Sequence, residues 1–315
     1  MKIFLVGKRA SITHWFEDAA DALRTEGHDV RLGVVRHPWL SAGVEAALAE
    51  PLAAAMAARA ARFDPDLVLV IGALHAPAAF LERLAALPGR PPLAGWAGDA
   101  FDIDARRAAE LYDLLAYTDS GLVARHRALG FASRSLFLPH AANLGKAPAS
   151  RPRAPRMVFV ATPTAGRRAV VAAVTAPMTI FGPGWAPRGA EASARHEIHA
   201  GRVAAGEVAG LYAGHLAALN IRNEHNVLHG LNQRSFDPYL SATPVVTDDQ
   251  ADIAMCFEPG REVLVWRDAD ELNAHYDRLL RDPDAARRIG EAGRRRIVAD
   301  HGFGRRLETL VAALR

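Results

Sequence analysis

The residues between Asn220 and Asp249 are those whose types and spacing could do chemistry. An apolar strand, Leu216–Ile221, ends in a stretch that carries Asn220, Arg222, Asn223, Asn226, His229, Gly230, Asn232, Arg234 and Asp237 within eighteen positions. Asn favours turns, but this many amides beside arginines directly after a strand exceed what a connector needs. An arginine offers a planar fork of five N–H donors that matches phosphate oxygens. The pattern from Leu231 to Ser241 predicts a helix, and backbone N–H groups at a helix start also bind phosphate. The chemistry predicted is therefore anion recognition, with Arg234 as the first candidate and Arg222, Arg167 and Arg168 as further ones. Of the 38 basic residues only Lys2, Lys8 and Lys146 are lysines, so any single arginine must be weighed against a solvated surface charge.

Those residues need elements to hold them. Apolar runs, with alternation at Asp29–Val35, predict strands at Lys2–Val6, Asp29–Val35, Leu67–Ile71, Pro92–Trp96, Leu114–Thr118 and Arg134–Leu138. Helical patterns fall between them, at His14–Thr25, Val44–Arg62, Ala76–Leu87, Asp104–Leu111 and Gly121–Leu129. Ala147–Arg156 holds three prolines and no apolar run, which is linker composition. The alternation then restarts, with strands at Met157–Ala161, Met178–Phe181, Leu216–Ile221, Pro244–Thr247 and Glu262–Trp266. Further helices are expected at Gly166–Val174, Gly206–Tyr212, Leu231–Ser241, Asp270–Arg281, Asp284–Asp300 and Phe303–Leu314. Strands alternating with helices imply parallel sheets. The expected organisation is a first α/β domain over 1–146, a linker over 147–156 and a second α/β domain over 157–315, with a ligand cleft at strand carboxyl ends.

Composition narrows the classes. The 315 residues are half apolar, 23% are charged and the formal charge is +3. The lone Cys256 excludes an internal disulfide and a cysteine-based zinc site and reads as a small buried filler. The four apolar residues before Gly7 are too few for a signal peptide, and no run reaches the ~18 residues of a spanning helix. A cytoplasmic setting is expected; peripheral membrane contact stays open. No Gly-x-Gly-x-x-Gly is present, which removes the main support for NAD. No clustered basic face argues for nucleic acid. Gly7 and Lys8 follow the first strand and could line a ligand loop or form a plain turn.

Four motifs in the second half carry a resemblance. They are Leu219-Asn220-Ile221, the run Gly230–Asp237 (GLNQRSFD), the run Ala242–Asp248 (ATPVVTD) and the run Phe257–Glu262 (FEPGRE). The stretch Glu291–Arg306 continues it. Together they resemble the C-terminal domain of "family 1" glycosyltransferases, most of all the CgeB-like, spore-maturation branch. Gly27-His28-Asp29-Val30, Phe63-Asp64-Pro65-Asp66 and Trp96-x-x-Asp99 agree more loosely. The resemblance implies a GT-B fold: two Rossmann-like parallel-sheet domains facing a cleft, with the C-terminal helix packing back on the first. It implies transfer of a sugar from a nucleoside-diphosphate sugar, a UDP-sugar being expected, to a glycan, protein or lipid-linked acceptor. The donor is a co-substrate, and neither cofactor nor metal is expected.

Many such proteins place two glutamates eight residues apart where this chain has His229 and Asp237. Asp237 keeps an acid able to accept hydrogen bonds from ribose hydroxyls. His229 does not supply the first acid. The acceptor hydroxyl needs a base, and His75, Asp99 and His140, each following an apolar strand, are the candidates. A nucleotide-sugar epimerase and a non-catalytic GT-B scaffold are the alternatives. Asp268-x-Asp270 could mimic a metal-binding pair, but Asp at a helix N-cap is the plainer reading. His225 and His229, four apart, lack the glutamate and third ligand of a zinc site. Arg294–Arg296 reads as a solvated helix face, and Glu258 and Glu262 as the flanks of a structural turn.

Overall fold

In the computed structural model, residues 1–9, 14–35, 48–73, 76–99, 106–186 and 195–315 are described. They form two compact units, Met1–Pro139 with Phe303–Arg315, and His140–Gly302. Each is built on a six-stranded sheet in which every pairing is parallel.

The first unit has strands β1 (Lys2–Gly7), β2 (Asp29–Val34), β3 (Leu67–Ile71), β4 (Leu93–Ala97), β5 (Leu114–Tyr117) and β6 (Arg134–Phe137), in the order β2-β1-β3-β4-β5-β6. Strands β3, β4 and β5 are buried along their whole length. This explains why they read as unbroken apolar runs: helices cover both faces of a parallel sheet. Helices α1 (Trp15–Thr25), α2 (Ala49–Phe63), α3 (Ala78–Ala85), α4 (Arg106–Glu110) and α5 (Ser120–Ala128) supply the cover. Gly7 ends β1 beneath α1, where a Cβ would fall inside the Phe16 ring, 2.8 Å from Cγ. Its glycine is thus required by packing. The last helix of the chain, Phe303–Leu314, joins this unit. Arg306 Nε donates to the Pro139 carbonyl at 2.8 Å, Arg134 donates to the Ala313 and Leu314 carbonyls, and the Phe303 ring lies 6.2 Å from that of Trp96.

The second unit has β7 (Ala154–Val160), β8 (Met178–Phe181), β9 (Glu197–His199), β10 (His215–Asn220), β11 (Val245–Asp248) and β12 (Leu264–Trp266), ordered β12-β11-β10-β7-β8-β9. Strand β7 begins at Ala154, inside the proline-rich stretch expected to be linker. Its helices are α6 (Ala165–Ala173), α7 (Ala205–Ala213), α8 (Ile253–Cys256), α9 (Ala269–Arg281) and α10 (Pro283–Asp300); Phe303–Leu314 is then α11. The chain order reverses between β7 and β10, the topological switch point at whose carboxyl end α/β sheets bind ligands.

One expectation needs correction. The helix expected at Leu231–Ser241 is two short 3-10 turns, Gln233–Ser235 and Asp237–Ser241. Pro238 is the cause: within an α-helix its ring would clash with the Arg234 carbonyl and it could donate no N–H. The phosphate-binding helix start expected there is therefore absent. Asp268 is the N-cap that the sequence suggests: its carboxylate accepts from Glu271 N at 2.8 Å and caps α9. Asp268→Ala should cost about 1 kcal/mol of stability and leave donor affinity unchanged, read by urea denaturation and titration. A change in divalent-metal dependence would restore the metal reading.

Candidate functional site

The site grows from the end of β10. Asn220 is fully buried, and its amide is saturated. Nδ2 donates to Ser235 Oγ at 3.1 Å and Thr247 Oγ1 at 2.9 Å, while Oδ1 accepts from Asn232 Nδ2 at 2.9 Å and from Arg234 Nε at 3.3 Å. Asn232 in turn caps the first 3-10 turn, its Oδ1 accepting from Arg234 N at 3.0 Å. One strand-end amide thereby fixes the first 3-10 turn and a neighbouring strand. Burying such a group is tolerable because every hydrogen-bonding position is used.

Arg234 is the cation this network aims. Its side chain is half-buried, Nε is spent on Asn220, and no described acceptor lies within hydrogen-bond distance of Nη1 or Nη2. Removal from water pulls its pKa down, while Tyr212, Asp248 and Asp237 oppose this.

Arg167 lies at the same strand end. It is buried, with Nε and Nη2 donating to the Ile221 carbonyl at 3.2 and 3.0 Å and Nη1 to the Thr162 carbonyl at 2.9 Å. Burial first, and then the like charge of Arg234, pull its pKa down to about 10, so it stays cationic at neutral pH. Both its carbonyl partners are neutral. It pins the chain leaving β10 to the loop after β7.

Three carboxylates surround these cations. Asp248, which ends β11, is raised in pKa by burial, against hydrogen bonds from Arg222 N at 3.1 Å and Gln250 Nε2 at 3.0 Å. Arg222 Nε adds a 3.5 Å ion pair from an exposed side chain. Asp237 accepts from Gln233 Nε2 at 2.6 Å. Glu224 sits against the first turn of α6, with its Oε1 3.1 Å from where a Gly166 Cβ would lie. Its own backbone N–H is the main cause of its lowered pKa, and the Gly166 N–H and Arg167 add to it.

The structure thus brings together Asn220, Asn232, Arg234, Arg167, Arg222 and Asp237. The others fall elsewhere. Asn226 closes a turn to the Asn223 carbonyl, and exposed His229 accepts from Asp252 N through its carbonyl at 3.1 Å, beside buried Gly230. Arg168 donates to the Gly184 carbonyl and lies over the Trp185 ring. In the first unit, Gly7 ends β1 and Lys8 follows it, and Asp99 is exposed after β4. His140 is buried in the second unit, its ring 6.3 Å from that of Phe236. His75 lies outside the described residues. Sequence reasoning missed Gln233, Asp248, Gln250 and Glu224. Asp248 and Gln250 follow an apolar strand directly, and that position was the available signal.

The strand orders and covering helices are those of the GT-B glycosyltransferases. Residues 165–312, from the first turn of α6 into α11, match the sequence profile of a family described as glycosyl transferase-like. Among solved structures, HepE of Anabaena in complex with UDP and glucose aligns with a TM-score of 0.70 at 12% identity, over 100% of this chain and 99% of that one. Sucrose-phosphate synthase from Thermosynechococcus elongatus aligns at 0.68 and 15% identity, over 99% and 100%. AviGT4, a glycosyltransferase involved in avilamycin A biosynthesis, aligns at 0.66 and 18% identity, over 100% and 97%. No curated protein matches the chain in sequence. Among the described residues no helix is long and apolar enough to cross a membrane.

Proposed function

We propose that this chain is a glycosyltransferase of the CgeB-like branch. It moves a sugar from a nucleoside-diphosphate sugar, a UDP-sugar, to a hydroxyl of a glycan, protein or lipid-linked acceptor in the cytoplasm. The observation that carries the reading is Arg234: a guanidinium oriented through Nε by a buried amide, its terminal nitrogens open, at the switch point of a parallel sheet. Breaking a bond from sugar to diphosphate builds negative charge on the leaving oxygen. Preorganised donors aimed at that charge stabilise the transition state. Arg234 supplies them without a metal, and Arg167 adds a fixed positive charge behind it. Asp237 accepts the ribose hydroxyls. The acceptor proton is assigned to Asp99, His75 or His140. Uridine is favoured by likeness of fold to a protein that was solved with UDP and with UDP-glucose.

Isothermal titration of the folded protein against UDP, GDP and dTDP tests the donor site, with UDP expected to bind most tightly. Absence of heat with all three would falsify it. Turnover of a labelled UDP-sugar, even by slow hydrolysis, is then expected. An epimerised donor formed without acceptor would instead point to an epimerase.

A further inference from the structure

Gln233 lies between Asn232 and Arg234, is 3% exposed and takes no part in the anion chemistry described above. Its side-chain amide has two hydrogens on Nε2, and both are spent. One goes to the Ala141 carbonyl at 2.7 Å, the other to Asp237 Oδ1 at 2.6 Å. Its Oε1 is buried with no hydrogen-bond partner among the described residues. Flipping the amide does not help, because Oε1 would then face two acceptors. The orientation is therefore dictated by the neighbours, and the orphaned oxygen is its consequence.

A buried acceptor without a partner costs stability, and a packed apolar side chain would avoid that cost. The return is directional. A carboxylate on a short turn can rotate about its side-chain bonds. A donor anchored at its far side to a main-chain carbonyl stops that rotation. Ala141 lies 92 residues earlier, so the anchor is independent of the turn that carries Asp237. The hydrogen bond to the carboxylate is short, as charge assistance makes such bonds.

We infer that Gln233 is a positioning residue that fixes the Asp237 carboxylate for a vicinal diol, the ribose 2′,3′-hydroxyls of the donor. The inference rests on the reading of Asp237 as a ribose ligand. A fixed carboxylate can accept both hydroxyls of a diol at once, whereas a rotating one must first be ordered. Gln233 touches no substrate. Its effect is therefore confined to ligands that carry the diol, which a merely structural residue would not discriminate.

The experiment compares the affinities of UDP and its 2′,3′-dideoxy analogue by titration calorimetry, for the unmodified protein, Gln233→Leu and Gln233→Asn. Leucine removes both donors. Asparagine keeps the amide but is one methylene too short to span both partners, and it serves if the leucine variant does not fold, as judged by thermal melting. The unmodified protein should prefer UDP about tenfold or more, the order expected when a site's polar group is left unmatched. In a folded variant the preference should fall to within about threefold, with affinity for the dideoxy analogue unchanged. A preference retained in the folded variants overturns the role of Gln233 and leaves Asp237 standing. No preference in the unmodified protein overturns the ribose reading of Asp237, and this inference with it.

Discussion

Arg234→Ala is expected to weaken nucleoside-diphosphate binding by about 1.5–3 kcal/mol, the worth of a hydrogen bond to a charged group, or roughly 10- to 150-fold in Kd. The fold should survive. Asn220 Oδ1 loses one donor at 3.3 Å but keeps Asn232 Nδ2 at 2.9 Å, and the Asn232 cap accepts from a backbone N–H that alanine also has. Arg167, no longer beside a like charge, should become easier to hold as a cation. Arg234→Lys should fall between: it keeps the charge but loses the planar fork. Calorimetric titration with UDP, paired with thermal melting, checks both. An unchanged Kd in a folded Arg234→Ala protein would remove this residue from the donor site.

The largest expected loss of stability is at Gly290. Helix α10 passes the second 3-10 turn through Gly290 and Gly293. A Cβ at Gly290 would overlap the Ala242 carbonyl oxygen and lie 2.7 Å from its carbon; one at Gly293 would enter the Tyr239 ring. Ala242 is itself held at φ 51°, in the left-handed region, where it ends that turn. A backbone carbonyl in such a position cannot swing aside as a side-chain tip can. Overpacking usually costs about 1–3 kcal/mol, and Gly290→Ala should reach about 3 kcal/mol despite alanine's better helix propensity. Gly206, in the first turn of α7, is the control. Among the described residues nothing lies within 4 Å of its added Cβ, so Gly206→Ala should be neutral or gain up to about 1 kcal/mol. Urea midpoints of the two variants should move in opposite directions or differ by most of that sum. Equal midpoints would show that α10 yields at Gly290. The Gly290 change should also weaken UDP binding, because Tyr239 and Ala242 belong to the turn that begins at Asp237.

The fold was legible where burial writes itself into the chain. Strands β1, β3, β4 and β5 are near-continuous apolar runs, because helices cover the sheet on both faces, whereas β2 and β6 at its edges carry Asp29, Arg31 and Arg134. β9 was not legible: Glu197-Ile198-His199 is a three-residue edge strand with a single apolar member and two half-exposed flanks. The turn after Leu231 was misread for a different reason. Leu231, Phe236, Tyr239 and Leu240 are all buried and mimic a helical stripe, yet Pro238 forbids the α-helix. That local rule was available and outweighs the periodicity. At the site, Asn220, Asn232, Arg234 and Asp237 stood out as an unusual run of polar groups after a strand. What could not be read was their wiring. Thr247 meets Asn220 only because β10 and β11 pair in register, Asn220 opposite Thr247, and Gln233 meets Ala141 across 92 positions. Such partners are set by tertiary packing, and no local spacing encodes them.

Asn220 has a further consequence, for the thermodynamics of ligand binding. It is the last residue of a central strand, and its four hydrogen bonds reach Ser235, Asn232, Arg234 and Thr247. Amides of such strands open only with global unfolding, whereas loops fray locally. The turn that carries Arg234 is tied to the slow-exchanging part of the sheet and should share its protection against deuterium. A ligand that arrives there meets groups already ordered, so little of its binding free energy is lost to conformational entropy.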